Sequence, residues 1–228
     1  MYLSRLILNP RSRQVRNELA DPYEMHRTIS RAFPNGVFAK ERRDENATSI
    51  LFRVDLGPRT LIPTLLVQSR EKPEWAFLQD RKGYLLGESD LALGAENPAV
   101  KEIYFRFRTG QALAFRLRAN PSVKKDREGR KQGRRVGLVR EEDQHKWLAR
   151  KLENAGASLI SVNVRKDQLV RGKLFIEKED EKRMRFLSVQ FDGVMRVRDP
   201  NRLLETVQAG IGSAKGLGFG LLSLARAT

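Results

Sequence analysis

The sequence predicts an α+β fold in which helices pack on one face of antiparallel β-sheets. Short runs of alternating apolar and polar residues indicate strands, and a few runs with helical spacing begin at recognisable caps. Turn residues separate these runs, so the first half has the order strand, helix, strand, strand. The chain has 228 residues, of which 40% are apolar, enough for the cores of two compact domains or one large one.

The first half contains three predicted strands. Residues 2–8 alternate and predict the first strand, and residues 11–19 predict a helix. After a second helix, strands are predicted at residues 48–56 and 61–68, with a Gly-Pro turn between them. A connector rich in glycine, asparagine and proline follows, and we place the domain boundary within it near residue 95.

The second helix has a clear beginning and end. Asp21 is a good N-cap and Pro22 suits the first helical position, while Glu24 is placed to complete a capping box. The helix is predicted to run to Phe33, because a Pro-Asn-Gly sequence follows.

The second half, residues 96–228, opens with a predicted hairpin of residues 103–108 and 113–118, apolar on one face and arginine-rich on the other. A second hairpin is predicted to turn at Asp192-Gly193. The remaining predicted elements are a helix at 141–154, strands at 158–164, 170–177, 184–191 and 194–198, a short helix from Asp199 to Ala209 and a C-terminal strand. Both halves thus have the layout of ferredoxin-like domains.

The charge of the chain favours a phosphate-bearing partner. Lys and Arg number 44 against 28 Asp and Glu, which gives a formal net charge of +16. A membrane role has little support, because the sequence has neither an 18-residue apolar run nor a basic, apolar N-terminal signal. We therefore expect a cytoplasmic protein that binds nucleic acid.

The sequence excludes several kinds of catalytic centre. Cysteine is absent, so disulfides, thiolate zinc sites and cysteine nucleophiles are excluded. The two histidines, His26 and His145, are far apart in sequence, and no compact acidic motif indicates a Mg²⁺ site. We expect no cofactor, and catalysis without a metal.

The second helix carries the candidate catalytic residues. An apolar stripe is formed by Pro22, Met25, Ile29, Ala32 and Phe33, and Tyr23, His26 and Ser30 fall together beside it. A partly buried histidine suits RNA transesterification, in which one group removes the 2′-hydroxyl proton and another protonates the departing 5′-oxygen.

Two arginines flank this pair. Arg27 and Arg31 are placed to neutralise the scissile phosphate, and their charge disfavours a protonated His26. The simpler alternative is that His26 is a satisfied surface side chain and that Tyr23 covers the edge of the core. The residues alone leave both interpretations open.

The predicted RNA-binding residues form two basic groups. Four arginines lie on the predicted hairpin, and residues 124–135 have the sequence KKDREGRKQGRR, with seven basic residues. Such an arm would contact RNA backbone and recognise stem shape, although a solvated charge run is the alternative. The candidates are Arg106, Arg108, Arg116, Arg118, Lys124, Lys125, Arg127, Arg130, Lys131, Arg134 and Arg135.

A glycine-rich segment at residues 210–220 follows the last helix. Its order, helix before strand, does not fit a dinucleotide fingerprint, and its spacing does not fit a phosphate loop. Glycines allow close backbone approach with exposed amides, so RNA contacts are predicted at Gly212, Lys215, Gly216 and Gly218. A turn that closes the sheet is the structural alternative.

Taken together, these segments resemble the CRISPR repeat-processing endoribonuclease of the type I-E Cascade system. The resemblance covers essentially the whole chain, and its motifs are LNP at 8–10, DPYEMHRT at 21–28, FRLRANP at 115–121 and GLGFGLLS at 216–223. It implies tandem ferredoxin-like domains, with Tyr23 and His26 at the catalytic positions and the basic hairpin in the stem-binding region.

The resemblance also implies an activity and partners. The expected reaction is metal-independent cleavage at the 3′ base of a repeat stem-loop, which leaves a 2′,3′-cyclic phosphate. The protein is then expected to keep the RNA and become a Cascade subunit, and we expect it to be monomeric when free. Two alternatives remain open: a non-catalytic RNA-binding scaffold, and a basic protein associated with ribosomes or tRNA.

Overall fold

The protein is described by a computed structural model, which covers residues 1–33, 50–87, 95–125, 134–166, 170–174 and 182–227. These residues group into two compact units. The first unit contains Met1–Tyr104, Arg171–Arg183 and Gly216–Gly218, and the second contains Phe105–Val170, Met184–Lys215 and Phe219–Thr228. The boundary near residue 95 stays a prediction.

A four-stranded antiparallel sheet forms the first unit. Its strands lie in the order β2-β3-β1-β4, which is the ferredoxin-like arrangement. The strands are β1 (Tyr2–Ile7), β2 (Leu51–Leu56), β3 (Pro63–Ser69) and β4 (Ala99–Glu102), and the helices are α1 (Arg13–Ala20) and α2 (Pro22–Ser30), with a 3₁₀ turn at Ala76–Leu78. The predicted strands and helices of this half are confirmed within the described residues, except that α2 ends at Ser30 and not at the predicted Phe33.

The second unit repeats this arrangement with two long helices. Its main sheet has the strand order β12-β5-β11-β8, and helices precede β8 and β12. The elements are β5 (Ala112–Ala119), α3 (Glu141–Asn154), β8 (Ala157–Lys166), β11 (Val189–Val197), α4 (Pro200–Ala209) and β12 (Leu222–Arg226). The tandem ferredoxin-like fold predicted from the sequence is confirmed.

Two short ladders complete the described strands. β6 (Ser122–Lys125) pairs with β7 (Arg134–Gly137), and β9 (Val170–Leu174) pairs with β10 (Lys182–Phe186). The β6–β7 ladder flanks the basic segment, so that segment begins and ends in a hairpin stem.

Each core lies between helices and one sheet face. In the first unit, Met25 and Ile29 of α2 are buried with Phe52 and Val67 of the sheet. In the second, Trp147 of α3 stacks on Phe191 of β11, with ring centroids 6.1 Å apart. Within the described residues no helix is long and apolar enough to cross a membrane.

Two predicted hairpins are wrong. Residues 103–108 form no strand in this structure, although Phe105 and Phe107 are half-buried and Arg106 and Arg108 exposed, as the alternation predicts. They cannot pair with β5, because β11 and β12 occupy both of its edges.

The Asp192-Gly193 turn is also absent, because β11 runs straight through it. Asp192 lies opposite Arg116 on one side and Asn163 on the other. Glycine is required at position 193 because there is no room for a side chain, not because the chain turns there. A Cβ at this position would collide with the Ser161 carbonyl oxygen and lie 3.0 Å from the Phe115 ring.

This close approach gives a testable prediction for Gly193→Ala. We expect the substitution to lower the free energy of unfolding by about 1–3 kcal/mol, the usual cost of overpacking, as measured by urea denaturation. Gly137→Ala is the control, because a Cβ there meets Leu187 at an ordinary 3.6 Å. Equal stability of the two variants would contradict the steric argument.

Candidate functional site

The candidate catalytic helix, α2, begins at a side-chain cap. The Asp21 carboxylate accepts a hydrogen bond of 3.1 Å from the Tyr23 amide, and Pro22 takes the first helical position. The predicted capping box is wrong, because the Asp21 amide donates to the Asn17 carbonyl oxygen instead. The Glu24 carboxylate binds Arg27 at 3.1 Å, so it stabilises the exposed face of the helix.

His26 lies half-buried at the edge of the core, as its place beside the apolar stripe predicts. Its imidazole stacks on Phe52 of β2, with centroids 6.2 Å apart and planes 29° apart. One turn later, the Ser30 hydroxyl donates a 2.7 Å hydrogen bond to the His26 carbonyl oxygen. The ring is therefore held by packing on one face.

Burial lowers the pKa of His26 from its ordinary value. The neutral imidazole, which can accept a proton, is thus favoured. The sequence predicted this direction but assigned it to the neighbouring arginines, and the cause is instead the loss of solvent. Arg27 is bound to Glu24, and Arg31 lies over the Phe77 ring with its Cζ 4.8 Å from the centroid.

Tyr23 shares this part of α2. It lies three residues before His26 and is half-buried. Residues three apart on a helix are neighbours on its surface, so a phenol and an imidazole are placed side by side. The catalytic roles of both residues stay predictions.

The glycine-rich segment contributes residues 216–218 to the first unit. A Cβ built on Gly216 would lie 3.7 Å from His26 Nε2, and one on Gly218 would lie 3.1 Å from the Phe52 ring. Gly218 has φ +82°, a conformation that glycine adopts without strain. Gly216 therefore presents bare backbone to the imidazole, and Gly218 presents bare backbone to the ring on which the imidazole stacks.

The preceding residues of this segment belong to the second unit. Gly212 has φ +89° and lies beside Trp147. The Lys215 ammonium donates a 2.6 Å hydrogen bond to the Ala209 carbonyl oxygen at the end of α4. Burial, and then the charge of Lys151, lower the pKa of Lys215. Both RNA-contact assignments stay predictions.

The arginines of β5 have side-chain partners. Arg116 Nε binds the Asp192 carboxylate at 2.6 Å, and Arg165 binds the same carboxylate at 2.9 Å. Arg118 Nε donates to the Ser188 hydroxyl at 2.8 Å. Burial alone raises the pKa of Asp192, but hydrogen bonds from Arg116, Gln190 and Arg165 outweigh it and hold the pKa below its usual range.

The basic segment is described only at its two ends. Lys124 and Arg135 lie opposite each other with exposed side chains, and Lys125 pairs with Arg134 in the same ladder. Arg127, Arg130 and Lys131 lie outside the described residues. Among the described residues, no group of three His, Asp or Glu side chains is arranged to hold a metal ion.

Sequence reasoning missed two residues that build this site. Phe52 belongs to a run that predicts an ordinary strand, and only the fold places its ring against His26. Glu18 is buried and accepts hydrogen bonds from Gln14 and Thr28, both at 2.7 Å, and from Tyr84 at 2.5 Å. The signal for Glu18 was a carboxylate on the buried face of a predicted helix.

A known family and two known proteins match this chain over nearly its full length. The model of the family described as CRISPR associated protein matches residues 1–226. The CRISPR-associated endoribonuclease Cse3 of Thermus thermophilus is 34% identical, covering 99% of this chain and 100% of that protein. The Cascade subunit CasE of Escherichia coli is 32% identical, with 99% of each chain covered.

A solved structure extends the match to three dimensions. The structure of CRISPR endoribonuclease Cse3 bound to a 19-nucleotide RNA has a TM-score of 0.80 and 33% identity, and covers 99% of this chain and 100% of that one. Sequence and fold thus agree along the whole molecule. The chain belongs to the CRISPR-associated protein family, in its type I-E CasE branch.

Proposed function

We propose that this protein is a metal-independent endoribonuclease that cuts CRISPR repeat RNA at the 3′ base of its stem-loop. It then stays on the mature RNA as a Cascade subunit in the cytoplasm. The observation that carries this proposal is the half-buried His26, stacked on Phe52 and faced by the backbone of Gly216. The names of the Cse3 and CasE relatives support the activity and the assembly.

The reaction is a transesterification within the RNA. The neutral His26 accepts the proton of a 2′-hydroxyl, and the resulting oxygen attacks the adjacent phosphorus. The bond from phosphorus to the 5′-oxygen breaks, and that oxygen receives a proton from Tyr23. The products are a 2′,3′-cyclic phosphate and a free 5′-hydroxyl. Acid–base assistance of this kind contributes about 10²–10⁴ in rate.

The lowered pKa of His26 supports its role as the base. A base with a pKa below the working pH is already unprotonated when RNA binds. Arg27 and Arg31, near the C-terminal end of the same helix, are proposed to neutralise phosphate charge at and beside the cut during attack. Tyr23 supplies the proton in this reaction; if Tyr23 holds the phosphate instead, a water molecule protonates the 5′-oxygen.

The basic residues of the second unit hold the RNA. Lys124 and Arg135 at the ends of the basic segment, with the β5 arginines, are proposed to contact the stem backbone. The wide, shallow minor groove and the phosphates of A-form RNA suit recognition by charge and shape. Each neutralised phosphate on a duplex adds roughly 0.9 to the slope of log affinity against log salt.

One cleavage assay tests the activity against both alternatives. The protein is incubated in excess EDTA with RNA that carries the repeat hairpin, and with a matched RNA that has a 2′-deoxy nucleotide at the cut. We expect a single cut in the first RNA only. No site-specific product would favour the scaffold, and equal binding of unrelated structured RNA would favour a ribosome- or tRNA-associated protein.

The pH profile tests the assignment of His26 as the base. Burial lowers the pKa of His26 below the ordinary 6.5. The single-turnover cutting rate should therefore rise with pH, reach half of its maximum at a pH below 6.5, and level off at higher pH. The sign follows from the active form, since a protonated imidazole accepts no proton. A rate that falls with rising pH through that midpoint would assign His26 as the acid.

A further inference from the structure

Two arginines share one aromatic ring at the C-terminal end of α2. The Cζ atoms of Arg31 and Arg81 lie 4.8 Å and 5.5 Å from the centroid of Phe77, and Arg81 lies also 6.0 Å from the centroid of Tyr84. Aromatic faces attract guanidinium groups within about 6 Å. The rings therefore fix the positions of both cations.

Neither cation is neutralised within the described residues. Five other arginines there bind carboxylates, but no ion pair involves Arg31 or Arg81. Arg81 Nη1 is buried and has no hydrogen-bond acceptor among the described atoms. Arg31 is exposed, but Arg81 is half-buried, and a ring face offsets only part of the cost of removing the Arg81 charge from water. An anion beside the remaining guanidinium nitrogens would offset much of the rest.

The platform under these arginines is rigid. The Glu74 amide donates to the Ala32 carbonyl oxygen at 2.8 Å, which joins this segment to the turn after α2. Trp75 is 5% exposed, and its indole nitrogen donates to the Ser4 hydroxyl at 3.0 Å. Leu78 is 1% exposed. Because these residues are already ordered, binding an anion here costs little conformational entropy.

We propose that Arg81, together with Arg31 and on the Phe77 platform, binds a phosphodiester of the RNA within two nucleotides of the cut. Residue 31 follows His26 by five positions, which is about 7.5 Å along a helix axis. Five positions also turn the side chain about 140° around the axis, so a strand with one phosphate at His26 reaches this pair by passing around the C-terminal end of α2. Guanidinium groups match phosphate oxygens in charge and in fork geometry. This inference rests on the proposed function and adds Arg81 and Phe77 to the residues that act on RNA.

A phosphate-neutralisation scan tests the proposal. The probe is the cognate repeat hairpin with a 2′-deoxy nucleotide at the cut, so that it stays intact, and with a single uncharged methylphosphonate at each phosphate in turn. Affinity is measured for the wild type, Arg81→Gln, Phe77→Leu and Arg202→Gln. Arg202 is the control, since it is exposed and pairs with Asp199 at 3.5 Å.

We expect one position within two nucleotides of the cut at which neutralisation weakens wild-type binding about tenfold. The same modification should weaken RNA binding by Arg81→Gln and by Phe77→Leu less than about twofold, because these variants have already lost the contact to that phosphate. For Arg81→Gln, the slope of log affinity against log salt should fall by about 0.7–0.9. Arg202→Gln should behave as the wild type at that position.

The proposal is overturned if, at every phosphate, the loss of affinity caused by the modification simply adds to the loss caused by the substitution. Arg81 would then have a structural role or a protein carboxylate as its partner. Phe77→Leu keeps all charges, so it decides the question should Arg81→Gln not fold. The scan uses RNA that cannot be cut. Its failure is therefore distinct from a failure of the wild type to cut unmodified RNA, which would contradict the proposed function itself.

Discussion

His26→Ala is expected to cut repeat RNA about 10²–10⁴ times more slowly than the wild type and to bind the uncut RNA almost as tightly. The substitution removes the proposed base, and the affinity comes chiefly from cations elsewhere in the chain. Single-turnover cleavage with excess protein measures the rate, and binding of RNA with a 2′-deoxy nucleotide at the cut measures the affinity.

The chain offers a matched control in its second histidine. His145 is exposed on α3, and His145→Ala should cut at the wild-type rate. A wild-type rate for His26→Ala would move the chemistry to another residue. A large loss of affinity in His26→Ala would instead make His26 a binding residue, as the scaffold alternative requires.

Glu18→Ala is expected to lower the free energy of unfolding by about 3–5 kcal/mol, measured by urea denaturation. The Glu18 carboxylate accepts hydrogen bonds from the hydroxyls of Thr28 on α2 and of Tyr84, and these two residues are 7% and 1% exposed. Truncation leaves both buried hydroxyls without this acceptor. Burial, then the charge and hydrogen bond of Glu18, raise the pKa of Tyr84 far above its ordinary value, so its phenol stays a donor.

Two further variants separate this network from a general loss of charge. Glu18→Gln keeps the shape and one acceptor, so its loss of stability should be smaller than that of Glu18→Ala. Glu205 is exposed on α4, and Glu205→Ala should stay within about 0.5 kcal/mol of the wild type. Similar losses for Glu18→Ala and Glu205→Ala would contradict the role assigned to the buried carboxylate.

The sequence predicts most elements because their signals are local. Asp21 and Asp199 begin α2 and α4 as predicted, since a side-chain cap depends only on the next few residues. Asp192 and Gly193 misled the prediction because their function is not local. Asp192 binds arginines of two neighbouring strands, and Gly193 makes room for Ser161 and Phe115, partners that only the assembled sheet supplies.

Local sequence patterns likewise predict one part of the candidate site and not the other. Helical spacing places Tyr23 beside His26, and the apolar stripe predicts that His26 is partly buried. No local pattern indicates that Phe52 supports the imidazole or that Arg81 shares a ring with Arg31. Those contacts join residues far apart in sequence. Phenylalanine and arginine are also common in ordinary cores and on ordinary surfaces, so their presence alone does not indicate a site.

Gly216, whose backbone lies against His26, is made long after it during translation. The ribosome adds 190 residues between the two positions, which takes about 10–40 s at roughly 5–20 residues per second. A nascent chain that already contains the first strands and α2 still lacks the Gly216 backbone that lies against the imidazole. The proposed site is therefore complete only after residue 216 has been added, and a chain truncated before residue 216 is expected to leave precursor transcripts intact.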